Sequence, residues 1–195
     1  MKEIWIATTN QHKVQEFQAM FQERNIVVKS MLDLEEKFEI EETGTTFEEN
    51  AIIKAEALSA LLQLPVIADD SGFVVDALDG EPGIHSARYL GHDTSYSYKN
   101  NVILERMRGI TDRSCRFICV IALAKPNQKT RVFTGIIEGE VAHNIAGSQG
   151  FGYDPIFYVS ELNKNLSQLS EIEKNAISHR GQACELLMEY IIHEK

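Results

Sequence analysis

Several structural and targeting devices are scarce or missing in this chain of 195 residues. It has three cysteines, Cys115, Cys119 and Cys184. In a strand the first two would lie ~13 Å apart at ~3.3 Å per residue, too far for a disulfide. No CxxC pair points to zinc, so reduced thiols in a cytoplasmic protein are expected. No apolar run approaches the ~18 residues of a membrane helix. The opening MKEIWIA enters a strand-like pattern directly, without the layout of a signal peptide. Positive charge is short too: 19 Lys and Arg stand against 29 Asp and Glu, a net charge of −10. That balance disfavours nucleic-acid binding through the general field. A small anionic substrate stays open, because a local cluster of cations outweighs a distant acidic surface.

The length and the 44% apolar content fit one soluble domain over residues 1–195, long enough to bury a core. Residues 3–9 read as a strand and 11–24 as a helix, with Val14, Phe17, Met20 and Phe21 on one stripe. Ile26-Val27-Val28 is a second strand, and Ala51 to Leu64 an apolar helix behind the capping pair Thr46 and Glu49. Residues 95–108 are amphipathic, and 115–124 with 130–141 read as a hairpin of two long strands. Ser170 and Glu173 form a second capping box, and a final helix runs from Leu186 to Ile192. Gly181 is expected to break or bend that tail.

The centre is residues 65–88, PVIADDSGFVVDALDGEPGIHSAR. Val66-Ile67-Ala68 suits a buried strand, and Ser71-Gly72 is expected to turn the chain back into Phe73-Val74-Val75. Between them stand Asp69 and Asp70. Neighbouring side chains of an extended backbone point to opposite faces, so the two acids cannot share one core. At least one faces a cleft or a cation. A carboxylate pair at a strand end suits Mg²⁺, which takes one or two carboxylates plus substrate phosphates. The competing reading is an Asx turn.

Other positions carry chemistry in the same direction. In Thr8-Thr9-Asn10-Gln11-His12-Lys13, Asn10 is an N-cap candidate, and hydroxyls with open N–H groups at a helix start attract anions. Lys13 sits where the helix dipole disfavours a cation, which a phosphate between them would resolve. Glu41 precedes the turn and is available to a metal, and Lys54 must snorkel or meet an anion. In GSQGFGYDPIFYV, glycines beside Phe151 and Tyr153 permit close backbone approach and a flat stacking surface, as a nucleobase needs. A loop with two core aromatics is the alternative. His179 beside Arg180 is an exposed donor pair in this reading.

Taken in order, TTNQHK, EETGTTFEENAIIKA, ADDSGFVVDALDGEPGIHSARY, GFGYDPIF and EKNAISHRGQA resemble the inosine/xanthosine triphosphate pyrophosphatases over nearly the whole chain. The resemblance implies an α/β fold: a two-lobed domain with a central mixed β-sheet flanked by helices, and an active-site cleft between the lobes. It implies hydrolysis of ITP, dITP and XTP to monophosphate and pyrophosphate with Mg²⁺, by a homodimer that binds neither nucleic acid nor membrane. Thr8, Thr9, Asn10, Gln11, His12 and Lys13 then form the phosphate-binding turn. Glu41, Asp69 and Asp70 are the metal ligands, Asp70 also the proton acceptor. Ser71, Lys54 and Arg88 contact substrate, the last two at phosphate. Phe151, Gly152, Tyr153, Asp154, Lys174, His179 and Arg180 hold base and sugar. Thr9 replaces a commonly seen Gly, His85 a Tyr, and Ile145-Ala146-Gly147 a Pro-Arg-Gly; none removes an acid or a cation of the site.

Base choice follows from hydrogen bonding. Hypoxanthine and xanthine present O6 as acceptor and N1–H as donor, and adenine reverses both. A donor such as Arg180 or His179 aimed at O6 would be left unpaired by ATP. Guanine differs only by its 2-amino group, so its exclusion requires a tight or donor-lined wall near C2, for which the 150–154 loop is the candidate.

Overall fold

The computed structural model describes residues 3–22 and 24–193. Chain order is β1 (Glu3–Ile6), α1 (Gln11–Gln22), β2 (Val27–Ser30), α2 (Phe47–Leu62), β3 (Val66–Val75) and α3 (Tyr96–Arg106). Then follow β4 (Ser114–Ala124), β5 (Arg131–Val141), β6 (Phe157–Val159), β7 (Lys164–Asn165), α4 (Glu171–Ile177) and α5 (His179–His193). Among the described residues the strands form one sheet in the order β2-β1-β3-β4-β5-β6-β7. β1 runs parallel to β2 and β3, whereas β6 runs antiparallel to β5 and β7. The fold is α/β with a seven-strand mixed sheet and five flanking helices, as the sequence leads one to expect.

β3 corrects one expectation. VIADDSGFVV is a single ten-residue strand, not two runs joined by a turn at Ser71-Gly72. Gly72 does not adopt positive φ, and β3 lies inside the sheet with β1 and β4 as neighbours, so ladder bonds keep the polar residues extended. Eight of its ten residues are buried, which is why its apolar pattern does not alternate.

The helix ends are chemically specified. Asn10 caps α1 by accepting the N–H groups of His12 and Lys13 at 3.0 and 3.3 Å. Thr46 caps α2 through the Glu49 N–H at 3.1 Å, but the Glu49 carboxylate turns to Thr45 instead of closing the box. Ser170 and Glu173 complete a capping box on α4. Gly181 neither breaks nor bounds the last helix: α5 runs through it from His179. The interruption falls at Ser178, whose extended backbone (φ −69°, ψ 154°) ends α4. Ala183, Leu187 and Met188 bury the following turns and hold the helix together.

The chain divides into two compact units. The first takes the chain up to Asp70, Cys119–Gly135, and Arg180 onward. Its core packs Ile4 and Ile6 of β1 against Phe17 and Phe21 of α1, with Ile121, Leu123 and Leu187. The second comprises Ser71–Ile118 and Ile136–His179. Its core is aromatic: the Phe73 ring centre lies 5.1 Å from those of both Phe117 and Tyr153. All three cysteines are free and buried.

Gly139 of β5 marks a close approach within the second unit. A methyl group there would fall 2.5 Å from Phe157 Cε1 and 2.6 Å from the Tyr158 carbonyl oxygen. Gly139→Ala is therefore expected to lower unfolding stability by about 1–3 kcal/mol in urea titrations. A loss below about 0.5 kcal/mol would show that β5 and β6 have room that this packing denies them.

Candidate active site

The alternation of β3 sends Asp69 and Asp70 to different partners, and both belong to the first unit. Asp69 is fully enclosed. Its Oδ2 meets Lys13 Nζ at 2.9 Å and Arg180 Nη2 at 3.0 Å, with Arg180 Nε at 3.4 Å. Arg180 is itself buried and donates from Nη1 to Glu16 Oε2 at 2.5 Å. Burial alone would push the Asp69 carboxyl up, but Lys13, Arg180 and Lys54 overcome it and hold the group well below the usual carboxylate range.

Asp70 has the opposite balance. Lys54 Nζ lies 3.2 Å from Oδ1, and the Asn50 side-chain amide donates to Oδ2 at 3.3 Å. Lys54 also pairs with Glu42 Oε1 at 2.9 Å. Burial raises the Asp70 carboxyl, Lys54 and Lys13 oppose it, and the neighbouring Glu42 and Asp69 reinforce it, so it ends above the ordinary value. Two adjacent carboxyls driven apart in proton affinity are the arrangement from which acid–base roles are built. Lys54 shows the converse: burial lowers it, but Asp70, Asp69 and Glu42 prevail and keep it charged.

Three residues of this cluster escaped the sequence reading. Glu16 lies one turn after Lys13, a spacing that signals a shared helix face. Asn50 is fully buried in α2, where its Oδ1 accepts the Gly44 N–H at 2.9 Å while its amide reaches Asp70. Glu42, not the neighbouring Glu41, is the acid brought to Lys54; Glu41 is exposed. A bound cation has a natural stand-in here, since the Lys54 ammonium sits between the carboxylates of Glu42 and Asp70. Two hard oxygen donors fit Mg²⁺, which completes its shell from phosphates and water. No group of three or more acidic, His or Cys side chains among the described residues forms a closed metal cage.

In the turn before α1, Thr8 Oγ1 accepts the Asn10 N–H at 3.1 Å, and Thr9, Gln11 and His12 are exposed. Lys13 turns its ammonium inward to Asp69.

The other candidates lie in the second unit. Asp154 is buried; its Oδ2 accepts the Phe151 N–H at 2.8 Å and pairs with Lys174 Nζ at 2.7 Å. Lys174 lies 4.9 Å from the centre of the Phe151 ring. Gly150, at φ 72°, lets the Asp154 carboxylate press against its α-carbon, which no side chain would permit. Tyr153 is a core aromatic: it stacks on Phe73 and donates its hydroxyl to the Ser86 carbonyl at 2.9 Å. Phe151 stays partly exposed. His179 stacks on Phe117 at 4.8 Å and 12°. Ser71 and Arg88 are half-buried. The Arg180 guanidinium pairs with Asp69 and Glu16 within the first unit. The unit boundaries include those between Asp70 and Ser71 and between His179 and Arg180.

The mixed sheet, with the acid pair on one of its inner strands, defines an α/β fold that comparison with known proteins places in a family. The Ham1 family model matches residues 4–190. The chain belongs to the Ham1 family. It is 47% identical over 195 residues to a dITP/XTP pyrophosphatase of Staphylococcus aureus (strain Mu50), covering 100% of this chain and 99% of that protein. It is similar to the solved Staphylococcus aureus Ham1 protein, with a TM-score of 0.89, 47% identity and 100% of both chains covered. A HAM1 protein from Coxiella burnetii gives a TM-score of 0.89 at 40% identity, covering 98% of this chain and 99% of that one.

Neutralising Asp69 leaves the buried Arg180 and the half-buried Lys13 facing an amide. Asp69→Asn is expected to cost about 3–5 kcal/mol of unfolding stability, the range for breaking a buried ion pair on one side. Chemical denaturation within about 1 kcal/mol of wild type would show that Lys13 and Arg180 do not depend on this carboxylate.

Proposed function

We propose that the protein hydrolyses deaminated purine nucleoside triphosphates (ITP, dITP and XTP) to monophosphate and pyrophosphate, removing them from the nucleotide pool. The observation that carries this reading is the clustering of cations on a chain of net charge −10: Lys13, Lys54 and Arg180 gather around the two carboxylates of β3, with Glu16 and Glu42 beside them. The relatives named dITP/XTP pyrophosphatase support the substrate class.

In this reading residues 1–195 act as one domain. Asp70 accepts the proton of the attacking water, a role suited to a carboxyl that burial has made more basic. Asp69 stays ionised and keeps Lys13 and Arg180 in place. Lys13, Lys54 and Arg88 are assigned to the phosphates, the Thr8–His12 segment to the phosphate turn and Ser71 to the substrate. Phe151, Gly152, Tyr153, Asp154, Lys174 and His179 are assigned to base and sugar. Arg180 serves the substrate through Asp69. Mg²⁺ would be held by Asp70 with an acid of the Glu41–Glu42 turn, Glu42 being the one already beside Lys54. When bound, it supplies charge against the polyphosphate oxygens and favours ionisation of water. Action as a homodimer in the cytoplasm belongs to the same proposal, and the three free thiols support the compartment.

The test is a panel of triphosphates assayed for pyrophosphate and orthophosphate. ITP, dITP and XTP with Mg²⁺ are expected to release pyrophosphate, ATP and GTP far less, and EDTA to abolish turnover. Orthophosphate as the first product, or binding without turnover, contradicts the reading. Asp70→Asn is expected to lower kcat by ~10²–10⁴-fold while nucleotide binding stays measurable. A kcat within about 3-fold of wild type would remove Asp70 from the chemistry.

A further inference from the structure

Two residues of α2 hold the Asp70 carboxylate, one on each oxygen. Asn50 donates to Oδ2 at 3.3 Å, and Lys54, one turn later on the same helix face, lies 3.2 Å from Oδ1. Lys54 Nζ also lies 2.9 Å from Glu42 Oε1, so one ammonium joins the two acids assigned above to a divalent cation. The joint is fixed from both sides. Asn50 Oδ1 accepts the Gly44 N–H at 2.9 Å, which ties the segment bearing Glu42 to α2, and the Lys54 side chain is only 10% exposed.

The charge around this joint is nearly balanced. Glu16, Glu42, Asp69 and Asp70 pair with Lys13, Lys54 and Arg180, and with every group ionised these four carboxylates and three cations leave a net charge of −1. Each carboxylate keeps lone pairs open to a further partner, so coordination sites are not what is short. Charge is. A carboxylate pair draws a divalent ion by its negative charge, and an ammonium close to both acids cancels half of it. The ammonium also repels a second cation brought to the same acids, and at low exposure that repulsion is weakly screened.

We infer that Lys54 is a built-in counter-cation that keeps a divalent ion from binding the nucleotide-free protein. It neutralises the Glu42–Asp70 pair while no polyphosphate is present. A polyphosphate, with anionic oxygens of its own, draws the ammonium away and brings the missing negative charge. Lys54 thereby sets an order of binding, in which the ion is taken up together with the nucleotide and not ahead of it. The inference rests on the reading that Glu42 and Asp70 hold the cation, and it adds to the assignment of Lys54 at the phosphates a role in the free protein.

The experiment titrates Mn²⁺, which favours the same oxygen donors as Mg²⁺, into nucleotide-free protein, with the EPR signal of the free ion reporting what is unbound. It is run at about pH 8, where carboxyls are ionised. Wild type is compared with Lys54→Met and Lys54→Gln, which remove the charge, and with Lys54→Arg, which keeps it. Both neutral variants are expected to bind Mn²⁺ at least about 10-fold more tightly than wild type, and Lys54→Arg to stay within about 3-fold of it. Adding Glu42→Gln to Lys54→Met is expected to cancel the gain. Loss of soluble protein in one neutral variant leaves the other to decide. Equal affinity in wild type and the neutral variants, weakened in each by Glu42→Gln, keeps the cation site and overturns the role of Lys54, as does Lys54→Arg binding as tightly as Lys54→Met. An affinity that Glu42→Gln changes in none of them overturns the reading of the site first, and this inference with it.

Discussion

A buried carboxylate, Asp69, is the constraint on which the first unit depends. It lies in the interior of a sheet, where burial alone would force it neutral, yet the ammonium of Lys13 and the guanidinium of Arg180 keep it ionised. Lys13 comes from α1, Arg180 from α5 and Asp69 from β3, so one anion fixes the register of three elements. Glu16 on α1 meets the far side of the guanidinium. Apolar contacts among Phe17, Ile67 and Leu187 draw the same elements together but do not specify rotation. Charge does.

The next residue inherits its chemistry from that arrangement. Strand alternation sends Asp70 away from Lys13 and Arg180 and toward Lys54 and Asn50. There Lys54 is shared with Glu42, and together with Lys13 it does not overcome burial, so the carboxyl becomes more basic. One strand thus supplies a fixed anion and a proton-accepting candidate at successive positions. In the second unit the 151–154 loop is held by local backbone bonds, by the Asn100 amide at the Gly152 carbonyl and by Lys174 at the Asp154 carboxylate.

Much of this was legible in the sequence because it is local. The opposition of Asp69 and Asp70 follows from a two-residue repeat, and the caps at Asn10 and Ser170 from side chains that reach their own backbone. The failures share a cause in tertiary context. Ser71-Gly72 has the composition of a turn, but neighbours on both sides of β3 hold it extended. Gly181 reads as a helix breaker, but core packing carries α5 through it. Arg180 read as an exposed donor because nothing near it in sequence announces a buried partner; Asp69 is 111 residues away. Of two adjacent glutamates at the turn, no local rule picks Glu42 over Glu41.

The ionisation of Asp69 is open to direct observation. Carboxyl ¹³C NMR on aspartate-labelled protein would follow each Asp signal as pH is lowered from neutrality toward about 3, below the ordinary Asp value. A depressed acid keeps its charge as pH falls, and its contribution to stability is lost only when pH drops through the depressed value. The account predicts an Asp69 resonance that stays in its ionised position while other aspartates titrate, and moves only when the protein unfolds. A midpoint for Asp69 at or above about 4, in folded protein, would contradict it.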